Sequence, residues 1–160
     1  MNLLKYKIIQ SPVGSLKIIV SEKCLLAILW DNEKFNRVRL DQLTEDEDDS
    51  IILETEKQLN EYFFSQRRGF DLPIETLGTS FQQGVWKQLN QIPYGTTWSY
   101  KDIALKINNP LAVRAVGSAI GRNPISIIVP CHRVVGSNGS LTGFAGGLDR
   151  KKFLLDIERN

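Results

Sequence analysis

The sequence predicts a two-part fold, an α/β half followed by a mostly helical half, and three observations carry that reading. Before residue 31, β-branched and aromatic residues gather in short runs separated by turn chemistry. After residue 79, apolar residues recur at helical spacing behind Ser and Thr residues suited to cap helices. Charge also changes sign: residues 1–73 hold 10 Lys+Arg against 13 Asp+Glu, a net of −3, and the remainder hold 10 against 5, a net of +5. At 160 residues, 42% hydrophobic and 24% charged, the chain is an ordinary globular one, with room for one domain or two small ones.

Taken in order, Tyr6–Ile9 and Ser15–Val20 read as two strands of a hairpin turned by Ser11-Pro12-Val13-Gly14. Cys24–Trp30 is a continuous apolar run of strand length, which places Cys24 in the core. The acidic run Glu45–Asp49 precedes a helix-like stretch from Ser50 to Gln66, where negative charge favours a helix N-terminus, so it reads as a solvated cap and not as a metal site. The helix itself, Ile51–Phe64, would cover the small sheet. Gly, Pro and charge between Arg67 and Thr79 mark a connection, with the boundary near residues 73–78, giving a scaffold domain over 1–76 and a second domain over 77–160.

In the second half, Thr79 or Ser80 can cap a helix whose inward positions are Phe81, Val85, Leu89 and Ile92, stopped by Pro93-Tyr94-Gly95. Ser99 can cap a short helix through Ile107, Asn108-Asn109-Pro110 makes a turn, and Leu111–Ile120 makes a second helix with Val113, Val116 and Ile120 inward, a helix-turn-helix pattern. Ala112, Ala115, Gly117, Ser118, Ala119 and Gly121 give that helix a slim profile, which suits either the approach of a foreign backbone or tight internal packing. A basic half on a nearly neutral chain suits a polyanion.

No apolar run approaches the roughly 18 residues of a membrane span. The start, Met1-Asn2-Leu3-Leu4-Lys5-Tyr6-Lys7, lacks the apolar stretch and cleavage site of a secretory signal, so the expected compartment is the cytoplasm and no membrane partner is expected. One His and two Cys cannot furnish a four-ligand zinc site without carboxylates, and both thiols are expected to be free.

The most informative stretch is Ile127-Ile128-Val129-Pro130-Cys131-His132-Arg133, where the sole histidine follows one of the two cysteines. A thiol with a pKa of about 8.5 is only slightly ionised at neutral pH, so a nucleophilic Cys131 needs activation. His132 as a proton relay, the charge of Arg133 and backbone N–H groups freed after Pro130 are the available means. Adjacent side chains on a regular strand point to opposite faces, so cooperation requires the backbone to turn there or a water to bridge. His132 as a base further needs a carboxylate partner, and the second half offers Glu75, Asp102, Asp149, Asp156 and Glu158, among which spacing does not choose. The bland alternative is a buried inert thiol beside a core histidine.

Val129-Pro130-Cys131-His132-Arg133-Val134-Val135-Gly136 closely resembles the PCHRV signature of the O6-alkylguanine-DNA alkyltransferases. Gly78–Trp86, Ile92-Pro93-Tyr94-Gly95, Ser99-Tyr100, Arg114-Ala115-Val116-Gly117, Asn123-Pro124 and Gly143–Leu148 fall in that family's order and spacing, so the resemblance spans residues 78–158. Ser11-Pro12-Val13-Gly14 to Trp30 resembles its N-terminal domain more weakly.

The resemblance implies a ribonuclease-H-like α/β domain followed by a helical domain with a helix-turn-helix and a winged loop. It implies that Leu111–Ile120 enters the minor groove and that Arg114 fills the gap left by an extruded nucleotide, with Ala115, Ser99, Tyr100 and Arg122 also on the DNA-binding surface. Such flipping is needed because the alkylated oxygen is inaccessible inside the stack. By the same resemblance Cys131 attacks the alkyl carbon, His132 relays its proton through water, Glu158 orients His132, Asn123 braces the turn and Tyr100 donates to the departing guanine. The Val134 carbonyl and Gly143, Phe144, Ala145 and Gly146 would line the base pocket. The implied partner is double-stranded DNA carrying O6-alkylguanine, with O4-alkylthymine a second candidate lesion; the protein would act once, as a monomer, with no cofactor.

Two departures bear on these expectations. The metal ligands that some relatives carry near the N-terminus are absent, so no zinc is expected, and Phe144 and Ala145 stand where other members carry a hydroxyl. Two other readings compete. A non-catalytic lesion-sensing relative would lack Cys131, and a Cys-His hydrolase acting on small molecules would leave Arg114 and the helix-turn-helix idle.

Overall fold

The computed structural model describes residues 3–34 and 37–160; the first two residues of the N-terminal segment considered above lie outside them. Strands β1 (Leu4–Ser11), β2 (Gly14–Val20) and β3 (Leu25–Trp30) form an antiparallel meander, and β4 (Leu43–Glu45) adds to the far side of β1 in parallel, for a sheet order β3-β2-β1-β4. The hairpin turn is where expected: Ser11 Oγ accepts from Val13 N–H and donates to the Gly14 carbonyl, and Gly14 takes a φ of +95° that a side chain would resist. Leu16, Ile18 and Val20 alternate onto the core face. Helix α1 (Ser50–Phe63) packs on β1 and β2, and the last residue of the acidic run caps it, Asp49 accepting from the N–H groups of Ile51 and Ile52.

Cys24 is not a core residue. It is only partly buried and precedes β3, its N–H held by Ser21 Oγ in a turn that diverts it from the strand. The connection after α1 is more than a tether. Leu25 donates to the Pro73 carbonyl and accepts from Glu75 N–H, and Ile28 donates to the Pro124 carbonyl, so the outer edge of β3 is covered by the connection and by the second half of the chain.

That second half contains α2 (Ser80–Leu89), β5 (Trp98–Ser99), α3 (Tyr100–Lys106), α4 (Val113–Gly121), a single 3₁₀ turn (Cys131–Arg133), β6 (Val134–Val135) and α5 (Leu148–Arg159). Thr79 and Gln82 form a reciprocal capping box at α2, and Ser99 and Asp102 form another at α3. On α2 the buried positions are Val85, Trp86 and Leu89, whereas Phe81, in the first turn, is 37% exposed. Helix α4 starts two residues later than its periodicity suggests because Pro110 and Leu111 complete the turn, leaving Leu111 almost fully exposed. Val113 is likewise 37% exposed, and Val116, Ala119 and Ile120 carry the packing. One apolar core joins both halves, running from Ile18 and Leu59 to Val116, Ile125 and Leu154. Among the described residues no helix is long and apolar enough to cross a membrane.

Candidate active site and DNA-facing surface

The backbone turns at the reactive pair. Asn123 builds the approach: its side-chain N–H donates to the Val129 carbonyl at 2.8 Å and its oxygen accepts from Ile125 N–H at 3.0 Å, closing the loop 124–129 on itself. Inside this loop the β-branched Ile127 is held at φ +75°, a conformation that costs about 1–3 kcal/mol and persists only where the surroundings impose it. The chain then enters the 3₁₀ turn at Cys131–Arg133, whose three side chains are all buried, and leaves through β6, paired in parallel with β5.

His132 and Glu158 meet at 2.6 Å between Nε2 and Oε2, so of the five acids in this half the fold brings Glu158 to the histidine. Glu158 sits near the end of α5, an element that polar residues at Asp149, Lys151, Lys152 and Asp156 keep from showing a clear apolar period. Arg133 does not aim its charge at Cys131. Its Nε donates to Glu158 Oε1 at 2.8 Å, one terminal nitrogen to Oε2 at 3.1 Å and the other to the Ile92 carbonyl at 2.8 Å. Tyr62 Oη donates to Glu158 Oε2 at 2.6 Å, and the Gly95 N–H approaches Oε1 at 3.3 Å. Burial pushes the Glu158 carboxyl up, but the hydrogen bonds from His132, then Arg133 and Tyr62, outweigh it and hold the group at about 2.

Burial also pushes the Cys131 thiol up, against the opposing pull of the Asn123 amide and the charges of Arg37 and Lys151. Burial pulls His132 below its ordinary value despite Glu158. The resting pair is therefore a thiol and a neutral imidazole. Glu158 is ionised and accepts at His132 Nε2, which puts the ring hydrogen there and leaves Nδ1 a free base; that nitrogen is buried without a partner among the described residues.

A cavity of about 670 Å³ is lined by Tyr100, by Gly117, Ser118, Ile120 and Gly121 of α4 with Arg122, by Gly143, Phe144 and Ala145, and by Lys34 and Arg37 from the sheet half; Cys131 is not in that lining, and the link to its loop is Arg37, which also reaches the Asn123 carbonyl. Tyr100 Oη accepts from Thr142 Oγ1 at 2.9 Å, which leaves its own hydrogen to donate. Gly146 and Val134 are buried and are not part of that lining. Gly146 lies so close to Trp30 that an added Cβ would stand 2.8 Å from the indole, and Phe144 meets the same indole edge-on at 5.5 Å. The Val134 carbonyl accepts from Lys151 Nζ at 2.5 Å, and the same ammonium donates to the Thr142 carbonyl at 2.9 Å. Burial lowers Lys151 to about 8. Arg114 and Ala115 stand exposed on the first turn of α4, outside the cavity, where the helix start has no side-chain cap, and Ser99 caps α3 nearby in sequence.

The structure thus adds Tyr62, Arg37, Lys151, Thr142 and Gly95 to the residues expected at the site. Arg37 donates to the Asn123 carbonyl at 2.8 Å across the two halves, and its approach could not be read from spacing. Lys151 carried a usable signal, since it falls in register with the buried Leu154, Leu155 and Glu158 on α5.

Comparison with known proteins decides the family. Residues 4–76 match the ribonuclease-like domain, and residues 80–160 the DNA-binding domain, of 6-O-methylguanine DNA methyltransferase. The chain belongs to this family. It is 46% identical to the methylated-DNA--protein-cysteine methyltransferase of Methanosarcina barkeri, over 97% of each chain, and 44% identical to the constitutive one of Bacillus subtilis, over 96% of this chain and 94% of that. A crystal structure of Mycobacterium tuberculosis OGT in complex with DNA superimposes with a TM-score of 0.89 at 42% identity, covering 97% of this chain and 92% of that one. The α/β domain followed by a helical domain is thus the family's architecture, as the motif resemblance implied.

Proposed function

We propose that this family member is a direct-reversal DNA repair protein that extrudes an O6-alkylguanine from duplex DNA and transfers the alkyl group to Cys131. The observation that carries this reading is the buried turn that holds Cys131 and His132, with Glu158 of α5 on the histidine, in a domain whose cavity has the slim face of the second helix of a helix-turn-helix as a wall. Kinship with methylated-DNA--protein-cysteine methyltransferases over nearly the whole chain supports it.

The balance of the step follows from the groups present. The Cys131 sulfur forms a bond to the alkyl carbon as the bond from that carbon to guanine O6 breaks. The thiol proton leaves through water to His132 Nδ1, the departing guanine anion takes up one proton at a ring nitrogen from water, and His132 returns its proton to solvent, so that the net transfer is of the thiol proton to guanine. Glu158, kept ionised, stabilises the imidazolium that forms. Tyr100 donates to the base as charge develops on it, an interaction that strengthens in the transition state and so lowers the barrier. The product thioether has no ready route back to a thiol, which makes the protein stoichiometric. Asn123 braces the turn, and Gly143, Phe144, Ala145 and Gly146, with the Val134 carbonyl, form the base pocket.

On the DNA side, Arg114 and Ala115 at the uncapped, positive end of α4, with Ser99, Tyr100 and Arg122, face the duplex. A reactive thiol suits a reducing compartment, which favours the cytoplasm, and the reading includes a monomer with domains over 1–76 and 77–160. The test is Cys131→Ser: the variant retains duplex binding and transfers nothing. Transfer at the wild-type rate would overturn the assignment of the nucleophile.

A further inference from the structure

Tyr62 belongs to the half of the chain with no reacting group, yet its hydroxyl ends on the oxygen that faces the catalytic histidine. Helix α1 brings it across a sequence separation of 96 residues to donate to Glu158 Oε2 at 2.6 Å, the same oxygen that His132 Nε2 meets at 2.6 Å. The phenol has no freedom to serve elsewhere. Its side chain is fully buried, with Phe63, Phe70 and Tyr94 packed around the ring at centroid distances of 5.7, 5.5 and 6.3 Å. We propose that Tyr62 is a positioning residue of the transfer reaction: it fixes Glu158 so that the carboxylate orients His132 without taking its proton. The proposal rests on the relay described above.

The carboxylate is loaded unevenly. Arg133 occupies Oε1 through Nε and reaches Oε2 only at 3.1 Å, and the Gly95 N–H stands 3.3 Å from Oε1, so Tyr62 is the short neutral donor opposite the histidine. Burial and the Glu158 charge push the phenol far above its ordinary value, so it remains a donor at any working pH. Every hydrogen bond to the ionised carboxylate lowers its proton affinity. Removing this one makes Glu158 a stronger base, favours the imidazolium of His132, and depletes the neutral imidazole that must accept the thiol proton. The charged and titratable groups around this centre are Tyr62 from α1, Tyr94 from the segment after α2 with Arg68 and Arg133 against its ring, His132 and Arg133 from the 3₁₀ turn, and Lys151 from α5. Of these only Tyr62 is altered by the test.

The chain's single histidine makes the readout direct, because one imidazole signal in a ¹⁵N-histidine-labelled protein reports His132 alone. In Tyr62→Phe the titration of that signal moves to higher pH by about half a unit or more, and the acidic limb of the rate of transfer from an O6-methylguanine duplex moves with it, so that at a fixed pH on that limb the rate falls about threefold per half unit. Phe63→Leu, a cut in the same buried cluster with no reach to Glu158, lowers the melting temperature and leaves the titration where it was. An unmoved titration and limb in a folded Tyr62→Phe would overturn the proposal. Should Tyr62→Phe fail to fold, site-specific 3-fluorotyrosine at position 62, a more acidic donor of nearly the same shape, must move the imidazole titration the opposite way, and no movement would overturn it equally. Glu158→Gln separates the two levels. If it transfers at the wild-type rate, the relay itself is wrong and Tyr62 falls with it; if it is crippled while both Tyr62 variants match wild type, only the role of Tyr62 is wrong.

Discussion

In the helical half the polar groups of the site are close neighbours, Cys131, His132 and Arg133 on one turn with Glu158 on the helix packed behind it. In the sheet half they are scattered: Trp30 at the end of β3, Arg37 in the loop that follows, and Tyr62 at the end of α1. In the proposed reaction the first set carries the chemistry as a compact motif. The second contributes no reacting atom, yet it holds the Asn123 carbonyl, the Glu158 carboxylate and the wall formed by Phe144. A half that reads as scaffold is thus part of how the site is preorganised, and its acidic balance does not extend to the surface that faces the cavity, where it supplies Lys34 and Arg37.

The sharpest way to break this comparison is at the carboxylate the two halves share. Glu158→Gln strands the Arg133 guanidinium in the core, and loss of one partner of a buried pair costs about 3–5 kcal/mol. Transfer to Cys131 is expected to fall by about 10²-fold or more, as for removal of a proton-relay partner, measured by single-turnover kinetics on a lesion duplex. The same carboxyl sets an acid limb. Its value is lowered in the folded state from 4.5 to about 2, so its contribution is complete above the unfolded value and is lost as pH falls from about 4.5 toward 2. Urea titrations across that window show a steep loss for wild type and a flatter one for Glu158→Gln.

Arg114→Ala tests the exposed edge of the helical half. The account expects repair of duplex DNA to slow by roughly tenfold or more while the reaction with free O6-benzylguanine, which needs no flipping, is spared. Equal losses on both substrates would remove Arg114 from any flipping role. Trp30→Phe tests the sheet half in the opposite sense. It deletes the indole N–H that donates to the buried Ser126 hydroxyl at 3.0 Å, at a cost of about 1–3 kcal/mol, and slows duplex and free-base reactions alike because it loosens the cavity wall they share.

The smallest expected effect comes from a residue whose helical spacing suggests core. Phe81→Ala changes stability by less than about 0.5 kcal/mol, as exposed positions do, whereas Trp86→Ala, which removes a buried ring and its N–H donation to the Ala119 carbonyl, costs about 3–5 kcal/mol by thermal melts.

These contrasts also show what a sequence conveys. The hairpin turn, the acidic run that caps α1, the caps at Thr79 and Ser99 and the PCHRV stretch were legible because each is local, whereas the return bonds of Gln82 and Asp102 that complete the two boxes appear only in the structure. The core face of α2 was half legible, since periodicity finds the stripe but not where the packing stops. Strand β4 and the two-residue strands β5 and β6 escaped notice because so few residues carry no period, and their pairing is set by distant partners. Tyr62 and Arg37 were missed because their partners are distant in sequence, and Lys151, although in register with the buried face of α5, because its charge suggests solvent. A tyrosine on an amphipathic helix reads as core filling, and a lysine reads as solvated, until the fold shows a carboxylate or two carbonyls at the end of the side chain.

The central claim is irreversible transfer to one sulfur, and the most direct measurement is the intact mass of the purified protein after mixing with a short duplex carrying one O6-methylguanine, followed by peptide mapping. The account predicts a gain of about one methylene, saturating at one per protein and confined to the peptide that holds Cys131. No gain, with lesion-selective binding intact, would contradict it and make the protein a sensor of the lesion.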